Sequence, residues 1–61
     1  MTNNLKKVLN EKGITYDKAA IGMNTSARMI NYDVKAKSLQ SKKMEKWADY
    51  LEMEVKEIFK F

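Results

Sequence analysis

Apolar side chains recur along this chain at steps of three and four, with polar residues between them, which is the period of helices that bury one face. The clearest run is "SKKMEKWADYLEM", where Met44, Trp47, Ala48 and Leu51 share a stripe. Leu5, Val8 and Leu9 form a similar stripe near the start. They predict a first helix over about 3–12, with Thr2 or Asn3 capping it and Gly13 ending it in the left-handed conformation. Thr15 is placed to cap a short second helix. Asp17 lies in its first turn, Ala19 and Ala20 are small packing positions, Met23 is its last apolar residue and Asn24 its stop. Ser26 can cap a third helix from Ala27 to about Lys35, with Ile30 and Val34 inward and Arg28, Asn31 and Lys35 on other faces. A polar link near 36–40 separates it from the fourth helix. Val55, Ile58 and Phe59 in "EVKEIFKF" then close the core with a last turn or two. No stretch alternates with a period of two, there is no Pro, and only Gly13 and Gly22 are glycines. The fold expected is all-α, a compact bundle of five short helices forming one domain over 1–61.

Length limits what this bundle can be. A chain of 61 residues buries only about 60% of its unfolded surface, and its stability should be roughly 3–5 kcal/mol. With no Cys and no His there is no disulfide and no Cys/His zinc site. Nor is there a convergent carboxylate pair or a Gly-rich phosphate loop. The sequence therefore offers nothing for acid–base, nucleophilic or metal chemistry, and a non-enzyme without cofactor or small-molecule ligand is expected. No apolar run approaches the roughly 20 residues of a membrane span, and "MTNNLKK" lacks the apolar stretch of a secretory signal. A cytoplasmic protein with no membrane partner is the expectation.

The formal charge is +4, and its distribution matters more than its sum. Between Ser26 and Lys46, the cations Arg28, Lys35, Lys37, Lys42, Lys43 and Lys46 face only Asp33 and Glu45. The last fifteen residues are net acidic, with Asp49, Glu52, Glu54 and Glu57 against Lys56 and Lys60. Any one lysine is adequately explained as a solubilising group. Cations concentrated on one segment are what a protein needs to neutralise DNA phosphates.

The register of "LKKVLNEKGITYDKAAIGMNTSARMI" resembles the helix-turn-helix of small phage Cro and repressor proteins, through Leu5, Gly13, Thr15, Ala20, Thr25, Ser26 and Ile30. The tail "WADYLEMEVKEIF" is similar to the family's ending through Ala48, Leu51, Met53, Ile58 and Phe59, so the resemblance covers nearly the whole chain. Asn24 stands at the turn position where a positive φ is required and glycine is usual; asparagine tolerates that conformation. There are departures. Gly22 replaces the family's usual leucine, Asp33 a second apolar residue, and Ala36 a terminating glycine; the link before the fourth helix is one residue short.

The resemblance implies a repressor that binds double-stranded DNA with its third helix in the major groove. Ser26 and Ala27 would let the backbone approach the groove floor. Arg28 suits guanine, Asn31 suits adenine, and Tyr32 either faces the groove or covers the core. Thr15, Tyr16 and Lys18, at the amides beginning the second helix, and Lys35, Lys37, Lys42 and Lys43 would hold phosphates. A homodimer on DNA would use the carboxyl-terminal region, with Trp47, Tyr50, Met53, Ile58, Phe59 and Phe61 as candidates; Tyr50 and Phe61 are the better interface residues, while Trp47 and Phe59 belong to the core. The alternative reading is a small protein-interaction module, an antirepressor or adaptor, that does not bind DNA. Asp33 favours it, because a carboxylate is unfavourable beside phosphates.

Overall fold

A computed structural model describes residues 1–61 and gives the order β1 (Thr2–Asn3), α1 (Leu5–Lys12), α2 (Tyr16–Gly22), α3 (Ala27–Lys35), α4 (Ser41–Leu51), α5 (Val55–Ile58) and β2 (Phe59–Lys60). The five helices are those the apolar spacing predicts. The two strands are a correction to the all-α expectation: Thr2 pairs with Lys60 and Asn3 with Phe59, antiparallel. Strands of two residues are too short to display a period, so no alternation could announce them.

Local chemistry sets the helix boundaries. Gly13 has φ 67°, and Ile14 N–H reaches back to Leu9 O at 2.9 Å, closing α1 through a left-handed residue. Thr15 Oγ1 accepts from Lys18 N–H at 3.1 Å and Ser26 Oγ from Met29 N–H at 3.3 Å, the two caps expected for α2 and α3. Asn24 takes φ 56°, and Thr25 N–H bonds Ala20 O at 2.8 Å, ending α2 in the left-handed manner anticipated. The first helix begins at Leu5, two residues later than anticipated. Asn4 flanks it without a side-chain cap, while Asn3 Oδ1 accepts from Leu5 N–H at 3.0 Å.

One cluster forms the core. Leu5, Val8 and Leu9 of α1, Ala19 and Ala20 of α2, Met23, Ile30 and Val34 of α3, Met44, Trp47, Ala48 and Leu51 of α4, and Ile58 and Phe59 are all buried. The cluster takes in every residue of the α4 stripe. Ala19 and Ala20 are buried small side chains on α2, and the α2 and α3 backbones approach one another closely. The radius of gyration, 10.2 Å, is close to the roughly 10.5 Å of a fully collapsed chain of this length. No helix is long and apolar enough to cross a membrane.

Two departures from the family pattern have structural explanations. Gly22 does not leave a hole in the core: it is exposed at the end of α2, and a Cβ there would overlap the Tyr50 ring. Asp33 is turned inward and only 1% exposed; its Oδ2 accepts from Trp47 Nε1 at 3.0 Å and from Lys43 Nζ at 3.3 Å. Buried polar groups persist when they are bonded, and Asp33 binds the indole N–H that burial of Trp47 would otherwise strand. The carboxyl-terminal apolar set also shrinks as a surface. Trp47, Ile58 and Phe59 are core, Met53 and Tyr50 are half-buried, and Phe61 remains 87% exposed.

Candidate functional site

The α2–α3 pair is joined by four residues, Met23–Ser26, and held by buried Ala20, Met23 and Ile30. The nine residues of α3 divide by helical spacing into two faces. Ile30, Asp33 and Val34 are buried, and Ala27 is half-buried on the same side. Arg28, Asn31, Tyr32 and Lys35, at i, i+3, i+4 and i+7, form a continuous outer stripe, all exposed. Tyr32 is 66% exposed, so its ring does not cover the core. The stripe carries a guanidinium, an amide, a phenol and an ammonium, groups that suit base edges and phosphates.

The other sequence-derived site residues are placed less uniformly. Ser26 is exposed, but its hydroxyl oxygen already accepts from Met29 N–H, and half-buried Ala27 presents only part of its methyl. Lys35, Lys37 and Lys42 are exposed. Lys43 is held back: its ammonium pairs with Asp33 and its side chain is 31% exposed. As a free phosphate contact it is therefore compromised, because reaching out would strip a buried carboxylate of its cation. Thr15 and Lys18 are exposed at the amino end of α2, whereas Tyr16 is half-buried against the core.

A hollow of about 240 Å³ lies between α3 and the link, lined by Met29, Tyr32, Asp33, Ser38, Leu39, Gln40 and Lys43. Its one carboxylate and one ammonium are paired, so it offers no unbalanced charge to an ion.

No protein-family model, curated protein or solved structure matches this chain.

Two residues absent from the sequence-derived set act on α3. Asn3 Nδ2 donates to Asp33 O at 2.8 Å and to Ala36 O at 3.0 Å, so a residue of β1 satisfies carbonyls at the end of α3. Nothing in the local sequence points to a partner 33 residues away. Asp33 was detectable, since its spacing from Ile30 places it on the buried face, and Trp47 is the natural donor for a carboxylate there.

Proposed function

We propose that the chain is a sequence-specific double-stranded DNA-binding transcriptional regulator, a Cro-like repressor that occupies an operator in the cytoplasm and performs no catalysis. In this reading α2, the Met23–Ser26 turn and α3 act as a helix-turn-helix, with α3 entering the major groove. The observation that carries it is the outer stripe of α3. Arg28, Asn31, Tyr32 and Lys35 stand exposed while Ile30, Asp33 and Val34 fasten the helix from behind. Arg28 donates to guanine O6 and N7, Asn31 pairs with adenine, and Tyr32 contacts a base edge or a phosphate. Lys35, Lys37 and Lys42, with Thr15 and Lys18 at the start of α2, supply the phosphate contacts.

Asp33 is compatible with this reading because it faces inward, its Oδ2 bonded to Lys43 and Trp47, and does not stand on the outer stripe where phosphates would lie. Selection of bound sites from random duplexes at physiological salt tests the proposal. An enriched sequence whose affinity falls steeply between roughly 50 and 200 mM salt supports it. A palindromic product indicates a homodimer on DNA, and failure to enrich any sequence overturns the reading.

A further inference from the structure

We infer that Asn3 is a positioning residue for base discrimination, holding α3 at the angle its outer stripe requires without touching DNA itself; this rests on the DNA-binding reading above. A helix leaves its last carbonyls without intrahelical donors, and a left-handed glycine is the common remedy. Here Ala36 is extended, with φ −67° and ψ 137°, and only its N–H returns to Asp33 O, at 3.3 Å. Asn3 gives Asp33 O a second, shorter hydrogen bond and gives Ala36 O a donor, while its own Oδ1 is occupied by Leu5 N–H. The side-chain amide is thus tied to two helices at once.

Neither end of this tie is loose. The Asn3 backbone is paired with Phe59, whose side chain is fully buried, so the strand Asn3 lies along is itself anchored in the core. At the other end, Asp33 is gripped twice, at its carbonyl by Asn3 and at its carboxylate by Trp47 and Lys43. The two grips come from different elements, β1 and α4, and together they oppose rotation of α3 about its own axis. Rotation is the motion that matters for reading bases. With side-chain tips about 5–6 Å from the axis, a turn of roughly 20° moves each tip by about 2 Å. That displacement exceeds the tolerance of a hydrogen bond to a base edge.

Asn3→Ala removes both donors and adds no charge. Its affinity is compared with that of the unaltered protein on two duplexes, the one selected from random sequences and a scrambled one of equal length. The ratio of the two affinities should fall about tenfold, chiefly through the selected duplex, with the salt slope unchanged. Trp47→Phe removes one of the two contacts to the Asp33 carboxylate and should lower the ratio in the same direction, by less, which also covers failure of Asn3→Ala to fold. Val55→Ala, a half-buried apolar truncation, serves as the control of lowered stability and should leave the ratio alone. An unchanged ratio in folded Asn3→Ala overturns the inference. If the unaltered protein selects no duplex, the DNA reading fails by itself. The tie is then judged by amide hydrogen exchange in the last turn of α3, where faster exchange in Asn3→Ala supports it and unchanged exchange overturns it.

Discussion

The Tyr50 ring lies against Gly22 so closely that a Cβ at position 22 would overlap its Cε1 and Cζ atoms. The ring is also set edge-on to Trp47, with centroids 6.2 Å apart. Gly22 thus seats an aromatic side chain of α4 on the end of α2.

Gly22→Ala gains up to about 1 kcal/mol of helix propensity but forces the ring aside, and overpacking typically costs about 1–3 kcal/mol. Net destabilisation of about 1 kcal/mol is expected in urea unfolding. In a Tyr50→Ala background the same change should be neutral or stabilising, so the double-mutant cycle isolates the contact. Equal effects in both backgrounds would contradict it.

Asp33→Ala leaves the buried Trp47 indole N–H without an acceptor, at a cost of about 2–3 kcal/mol. Asp33→Asn retains an acceptor and should cost less than half as much. Denaturant curves followed by Trp47 fluorescence order the two variants, and equal losses would argue that the Lys43 pair, which both substitutions remove, dominates.

Lys42 and Lys43 are neighbours in sequence, but Lys42 is exposed whereas the Lys43 ammonium is paired with Asp33. Lys42→Ala should weaken binding to all duplexes alike and lower the salt slope by roughly 0.9. Lys43→Ala should change the slope much less and instead reduce stability, because it removes the cation from Asp33. Slopes falling equally would show that Lys43 abandons Asp33 on the DNA.

Arg28→Ala should relax preference at a single base pair by about 1–3 kcal/mol while leaving the unfolding midpoint nearly unchanged. Binding measured on a set of singly substituted duplexes checks this; a uniform loss across the set would make Arg28 a phosphate contact.

Glu52 ends α4 at φ 56°, a conformation that costs most L-residues about 1–2 kcal/mol. Glu52→Gly should raise stability by about 0.5 kcal/mol, the gain reduced by glycine's own entropy. Asn24→Gly, at the same φ, should gain less because asparagine tolerates the conformation. Thermal melts of the two variants test that order.

How much of this was legible in the sequence depended on the range of the interaction concerned. The caps Thr15 and Ser26, the left-handed Gly13 and Asn24, and the buried stripe of α4 are local, and each is encoded within a few residues of where it acts. Gly22 could be read only as a departure from the family's leucine, because its meaning lies in an aromatic ring 28 positions on. Lys43 was read as a free cation because an ion pair across ten residues and two helices leaves no local trace. Asn3 was taken for a cap, and its oxygen does serve Leu5, but its nitrogen works at the far end of the chain's third helix. The outer stripe of α3 was legible for the same reason as the core, since a helix that declares its inner face also declares its outer one.

Pairing of Thr2 and Asn3 with Phe59 and Lys60 has a consequence for biosynthesis. As the polypeptide leaves the ribosome from its amino end, the first four helices are complete before a partner for the opening residues has been made. Until Phe59 emerges, Asn3 has no strand to lie along and the end of α3 goes unfastened. The end of α3 is therefore among the last parts of this fold to be secured, although α3 itself lies in its middle.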